Sequence, residues 1–158
     1  MGKIFLDVAV SLDGFTADKK NNSIYPIHEL QKTPALNELI RSTGAVIMGR
    51  RTYNMAKGDF TGYEYQVPIF VLTHNAPKKV TKGENENLRF TFVKGNVKNA
   101  LKKAKAAAGD RNVMVIGGAN TAQQCIKSNL LDEILIRQMP VLLNEGLQLF
   151  THFRHKEN

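Results

Sequence analysis

Three short stretches of this 158-residue chain place cationic or polar residues, in two of them beside glycine, where an apolar run ends. In MGRRTY, Met48 to Tyr53, Gly49 lets the backbone approach a ligand closely, and Arg50 and Arg51 add two forked cations suited to phosphate. In VIGGANTAQQ, Val115 to Gln124, the pair Gly117 and Gly118 separates an apolar run from a helical one, so the amides at the helix start form a ready anion site. In VLTHN, Val71 to Asn75, Thr73 and His74 offer a hydroxyl and an imidazole to a ribose or its phosphate. Each stretch also has a plainer reading, as a basic helix start, a tight packing turn and a pair of turn formers. The chemistry they share is recognition of phosphate esters. Neither the GxGxxG spacing nor a GxxxxGK[ST] loop occurs, which excludes the usual Rossmann and P-loop classes.

These turns need strands and helices to hold them. Lys3 to Val10 alternates and then runs apolar, as a strand does, until Ser11, Leu12, Asp13 and Gly14 break the pattern. Phe15 to Lys32 has no assignable structure. Thr33 and Pro34 open a helix with Leu36, Leu39 and Ile40 on its apolar face, and Gly44 is expected to stop it. Further strands are predicted at Ala45 to Met48, Val67 to Thr73, Arg89 to Val93, Val113 to Ile116 and, interrupted at Pro140, Glu133 to Leu143, with a short one at Leu147 to Phe150. Helices are predicted after Gly49, between Asn96 and Gly109, and from Asn120 to Asn129. Strands that alternate with helices imply a three-layer α/β domain with a mostly parallel central sheet and helices on both faces. Ligands of such sheets sit beyond the carboxyl ends of the strands, where all three turns lie.

Composition narrows the classes further. Hydrophobic residues make up 42% and charged residues 23%, the balance of a globular chain, and no apolar run reaches the length of a membrane helix. Residues 1–158 are expected to form one cytoplasmic domain without a membrane partner. Cys125 is the only cysteine, so no internal disulfide or thiolate zinc cluster is available, and a packing role is expected for it. The net charge of +8 favours anionic ligands, from nucleotide cofactors to nucleic acid. Lys98, Lys102, Lys103 and Lys105 surround an apolar series in one predicted helix and are expected to form its solvated face. Base stacking needs aromatic residues among the charges, and Tyr63 and Tyr65 are the one close pair outside predicted strands, which disfavours a nucleic-acid partner.

The segments VAVSLDGFTA, GAVIMGRRTY, VPIFVLT, VMVIGGANTAQQCI and LLDEILIRQMPVLLNEGLQLF, taken in order, resemble the dihydrofolate reductase superfamily. The likeness spans about Ile4 to Phe150 and is strongest to the reductase domain of bacterial riboflavin biosynthesis. It implies a dihydrofolate-reductase-like fold with a central sheet of about eight strands and NADPH across the sheet edge. Gly49, Arg50, Arg51 and Thr52 would meet the adenosine phosphates, Leu72, Thr73 and His74 the adenosine ribose, and Gly117, Gly118, Ala119, Asn120 and Thr121 the pyrophosphate. Ala9, Ser11, Asp13 and Gly14 would lie near the nicotinamide, with Asp13 the candidate catalytic residue. No metal is implied.

The implied reaction is hydride transfer to a pteridine-like or ribosylaminopyrimidine substrate, of the 5-amino-6-(5-phosphoribosylamino)uracil reductase type. The carboxylate that orients the pterin in dihydrofolate reductases has no clear counterpart in QKTPALNEL, where Glu29, Asn37 and Glu38 are the candidates. That gap favours the riboflavin-type branch. Relatives usually continue for one or two strands beyond the segment matching LQLF, so a sheet edge is expected that a second copy covers in a homodimer. His152 and His155 are expected to be solvent-exposed rather than metal ligands. A non-catalytic dinucleotide-binding member and a basic nucleic-acid-binding module are the alternatives.

Overall fold

The computed structural model describes residues 2–20, 22, 24 and 33–150, and its elements run β1 Ile4–Val10, β2 Phe15–Ala17, α1 Pro34–Ser42, β3 Thr43–Gly49, α2 Arg50–Met55, β4 Ile69–Leu72, β5 Phe90–Val93, α3 Val97–Ala108, β6 Asn112–Ile116, α4 Ala119–Ser128, β7 Glu133–Gln138 and β8 Leu147–Gln148. Six strands form one sheet in the order β5-β4-β3-β6-β1-β7, and every neighbouring pair in it is parallel. The remaining two, β2 and β8, form a small antiparallel ribbon. The central sheet therefore has six strands among the described residues, not the eight that the resemblance implies, because β2 and β8 pair apart from it. The ribbon strand β2 lies in the stretch whose sequence carried no readable pattern.

Burial follows position in the sheet. The inner strand β3 is buried at all seven residues, whereas β1 alternates between buried and half-buried residues. One core layer joins Leu6, Val8, Ile47 and Val115 to Leu101 and Ala104 of α3 and to Ala122 and Cys125 of α4. The other gathers Val46, Met48, Val71 and Met114 beneath Tyr53 of α2 and the loop residues Phe60, Tyr65 and Val67, with Leu39 and Ile40 of α1 against it. Each fully buried aliphatic side chain of this kind contributes about 1.5–3 kcal/mol. Asn96 caps α3 by accepting from the Asn99 amide at 3.1 Å, and the four lysines of that helix lie on its exposed face.

Two boundaries differ from the sequence expectation. Gly44 lies inside β3 instead of ending α1, because the chain passes from helix to strand at Thr43 without a turn, and the Thr43 hydroxyl donates back to the Leu39 carbonyl at 2.7 Å. The strand β7 stops at Gln138 instead of running to Leu143. Pro140 has no amide to offer a ladder, and the Val141 amide folds back to the Met139 carbonyl at 2.8 Å. In the sheet order β7 is an outer strand, and its Ile134 and Ile136 side chains are exposed. Among the described residues no helix is long and apolar enough to cross a membrane.

Candidate functional site

The carboxyl ends of β3, β4 and β6 meet at one wide cleft of about 1690 Å³. Small-molecule pockets usually hold about 300–1,000 Å³, so this one has room for two ligands side by side. Gly49, Arg50, Arg51 and Thr52 enter it from the β3 corner, and Leu72, Thr73 and His74 from the β4 corner. Gly117, Gly118, Ala119, Asn120 and Thr121 line it from the β6 corner, with Ala9 at the end of β1. Three sequence-distant turns thus converge on one groove.

The corners are fastened to one another. The Thr52 hydroxyl donates to the Gly117 carbonyl at 3.1 Å. A Cβ at Gly49 would stand 2.6 Å from Thr121 Oγ1, so a side chain there would force the Thr121 hydroxyl to shift, and glycine leaves the β3 and β6 corners in close contact. Gly118 has φ +86°, a left-handed conformation that glycine adopts without strain, and it turns the chain directly into α4. No side chain caps the start of that ten-residue helix, so its first amides remain available on the cleft side. The helix α2, with six residues, is too short to contribute much dipole. The β3 corner contributes guanidinium groups instead.

Arg50 also braces its neighbours. Its Nε donates to Asn54 Oδ1 at 2.9 Å, and its Nη1 donates to Thr73 Oγ1 at 3.0 Å and to the Asn75 carbonyl. The guanidinium carbon lies 5.9 Å from the centroid of the Tyr53 ring, a cation–π distance. The arginine therefore ties the β3 corner to the β4 corner and holds a cation at the rim.

Ser11, Asp13 and Gly14 do not line the cleft. The Asp13 carboxylate accepts from the Ser11 hydroxyl at 2.6 Å and from the amides of Leu143 at 3.1 Å and Asn144 at 2.7 Å. The Ser11 hydroxyl and then the Asn144 and Leu143 amides hold its pKa below the usual aspartate value. Both oxygens are engaged in fastening the β7–β8 connection, whose residues Asn144 to Gln148 do line the cleft. The SLDG turn positions a wall of the site rather than presenting a side chain to it.

Of the acids weighed on α1, Glu38 pairs with Arg41 on the surface at 3.2 Å, and neither Asn37 nor Glu38 reaches the cleft. Glu29, His152 and His155 lie outside the described residues. Asp59, Glu64 and Glu145 line the cleft from loops, and the carboxylate that reaches it from a strand is Asp7 of β1, paired with Arg137 of β7. Sequence reasoning passed over both residues. The available signal was an acid inside the apolar run IFLDVAV.

Tyr63 and Tyr65 contribute to an aromatic wall with Phe60, the successive ring centroids lying 5.3 and 5.9 Å apart. Tyr65 is 3% exposed, which leaves it no free face for stacking bases. Burial raises the Tyr63 hydroxyl well above the usual tyrosine range, so it stays a neutral donor at the cleft edge. Cys125 is fully buried on the core face of α4, and burial pushes its thiol up to about 12.

Comparison with known proteins agrees with this geometry. The chain is 28% identical over 150 residues to the uncharacterised protein YwjB of Bacillus subtilis, covering 94% of this chain and 82% of that one. It superposes with a TM-score of 0.71 on a protein assigned to riboflavin biosynthesis in Shewanella sp. PV-4, at 26% identity, covering 98% of this chain and 86% of the other. The fold also matches the Thermotoga maritima diaminohydroxyphosphoribosylaminopyrimidine deaminase/5-amino-6-(5-phosphoribosylamino)uracil reductase, with a TM-score of 0.71 and 16% identity, and spans 99% of this chain but half of that one. Over residues 2–153 the sequence matches the model of the RibD C-terminal domain, and the chain belongs to that family, within the dihydrofolate-reductase-like superfamily.

Proposed function

We propose that the chain is an NADPH-dependent reductase whose cofactor lies across the β3, β4 and β6 corners. One observation carries the reading: Gly49 packs against Thr121 where a Cβ would displace the Thr121 hydroxyl, which makes the Arg50–Arg51 corner and the first turn of α4 two walls of one seat. The residues fit the group. A pyrophosphate needs amides and a glycine approach, which Gly117 to Thr121 provide, and the extra phosphate that distinguishes NADPH needs guanidinium groups, which Arg50 and Arg51 provide. Leu72, Thr73 and His74 would hold the ribose, and Ala9 would admit the nicotinamide ring at the end of β1.

When bound, NADPH supplies a hydride. The chain's own contribution is then to fix two ligands in contact, exclude water with the aromatic wall and keep the Tyr63 hydroxyl protonated at the cleft edge. Asp13 is a positioning residue in this reading. Family membership supports a reductase, and the riboflavin-type ribosylaminopyrimidine remains one of two substrate classes for it.

The test is a fluorescence titration of the full-length chain with NADPH at low salt. Saturable binding is the expected result, and turnover of bound NADPH with a pteridine or pyrimidine acceptor separates an enzyme from a non-catalytic binder. Complete absence of NADPH affinity would remove the reading.

A further inference from the structure

Gly49 and Leu72 are register partners at the ends of β3 and β4, so the next residues out, Arg50 and Thr73, leave adjacent strands side by side. Their side chains close a ring with the Asn75 carbonyl. Arg50 Nη1 donates to Thr73 Oγ1 at 3.0 Å and to that carbonyl, and the Thr73 hydroxyl donates to the same carbonyl at 2.9 Å. The Asn75 amide adds a bond to Thr73 Oγ1 at 3.3 Å. At its Nε edge the guanidinium donates to Asn54 Oδ1 at 2.9 Å. It lies over the Tyr53 ring at 5.9 Å, and that ring is itself fixed by Phe60, stacked at 5.4 Å, and by a 2.6 Å bond between its hydroxyl and Thr81 Oγ1.

Hydrogen-bond capacity assigns the roles. A threonine hydroxyl has one proton and two lone pairs. At Thr73 the proton goes to the Asn75 carbonyl, and the lone pairs receive Arg50 and the Asn75 amide, so the hydroxyl is saturated before any ligand arrives. An arginine carries five N–H groups. The one on Nε and the two on Nη1 are engaged by Asn54, Thr73 and Asn75, which leaves the pair on Nη2. Arg50, Thr73 and Asn75 line the cleft, whereas Asn54 stands outside it. The cation thus brings one nitrogen to the seat, on a side chain already ordered by its neighbours. Binding a ligand there costs little further rotamer freedom.

We propose that Thr73 is a positioning residue for Arg50 whose hydroxyl makes no bond to the cofactor, and that Arg50 Nη2, held by Thr73 and Asn54, sets the preference of this corner for a phosphate monoester over a hydroxyl. Arg50 touches the ligand, and the other two act through it. Thr73 then faces the ribose with its backbone and methyl group alone. The inference deepens the reading of the β3, β4 and β6 corners as the NADPH seat and rests on it.

Calorimetric titration of the full-length protein with NADPH and, separately, NADH tests it, because the two cofactors differ only in the monoester. The wild type is expected to prefer NADPH. Thr73→Val keeps the side-chain shape without the hydroxyl, and it should weaken NADPH roughly three- to tenfold while NADH stays within about twofold. Thr73→Ser should restore the wild-type ratio. Asn54→Ala should lower the ratio in the same direction, and by less. In an Arg50→Ala background Thr73→Val should change neither cofactor, because the group that it positions is gone. A hydroxyl that merely steadied the turn would lower the melting temperature and leave the ratio alone.

Equal weakening of both cofactors by Thr73→Val overturns the inference, since that is the mark of a direct bond to the ribose. An unchanged ratio overturns it too, as does a Thr73→Val effect of the same size with and without Arg50. Where Thr73→Val does not fold, Asn54→Ala decides, and an unchanged ratio there has the same force. In all these cases the seat stands as long as the wild type binds NADPH. A wild type that binds neither cofactor removes the seat and the inference together.

Discussion

The two ends of the cleft are built from different materials. At the β3–β4–β6 end the groups lining it are backbone amides, glycines and arginines on turns that directly follow strands. At the β1–β7 end they are two mid-strand side chains, Asp7 and Arg137, that meet across 130 residues of sequence. A site made of turns constrains local sequence, because each turn needs its glycine and its cation within a few positions. A site made of strand faces constrains single residues that look ordinary in their own neighbourhood. The contrast predicts that changes at the first end reduce cofactor handling and changes at the second leave it intact.

The largest effect should come from Gly49→Val. A side chain there must displace Thr121, whose Oγ1 lies 2.6 Å from the Cβ position, and so separates the two walls of the cofactor seat. Displacing reacting groups by about 1 Å costs on the order of 100-fold in rate, so NADPH oxidation should fall by about that factor while the core stays folded. Steady-state kinetics together with a thermal melt checks it. A variant that folds and turns over at the wild-type rate would break the distinction between the ends, since the β3–β6 contact would then do nothing for chemistry.

This difference also explains what the sequence disclosed. The strand order could not be read, but strand identity largely could: VMVI and GAVIM are short, continuously apolar runs closed by glycine, and they became the inner strands β6 and β3. The thirteen cleft-lining residues from Ala9 to Thr121 that are proposed to seat the cofactor were named from turn chemistry and family likeness. The family likeness implies Ser11, Asp13 and Gly14 near the nicotinamide, yet the turn braces the β7–β8 connection. Nothing local reveals that bracing, since it depends on amides of residues 143 and 144. Asp7 was legible only as an acid in a hydrophobic strand. Its partner, Arg137, sits in EILIRQ, where the half-buried positions of an alternating edge strand resemble any solvated face.

An intermediate effect is expected from the arginines of the first end. Arg51→Ala should weaken NADPH by about tenfold, the value of one lost charge-assisted contact, and leave NADH nearly unaffected. Arg50→Ala should cost more, because it also releases Thr73 and Asn75 and so loosens the β4 corner. Both losses should shrink as salt rises, since exposed cations are screened. Paired titrations with NADPH and NADH at two ionic strengths check this. Equal weakening of both cofactors by Arg51→Ala would move the extra phosphate away from the β3 corner and erase the charge contrast between the two ends.

The smallest effect belongs to Asp13, which serves the second end indirectly. Its folded pKa is depressed by the Ser11 hydroxyl and by the Asn144 and Leu143 amides. The stability it provides is therefore fully present above the unfolded aspartate value of about 3.9. It is lost as pH falls through the lower, folded value. Melting temperature of the wild type should drop more steeply below about pH 4 than that of Asp13→Asn, which has no carboxylate left to protonate. At neutral pH the variant should melt a little lower and keep its NADPH affinity, because Asp13 fastens Leu143 and Asn144 and does not itself line the cleft. Parallel melting curves across the acid range would show that the loop is held by β2–β8 pairing and the Leu12–Val141 and Leu149–Gly14 backbone bonds alone. A drop in NADPH affinity would instead place the SLDG turn at the reacting end after all, and the division of the cleft into a turn-built seat and a strand-built far end would have to be redrawn around it.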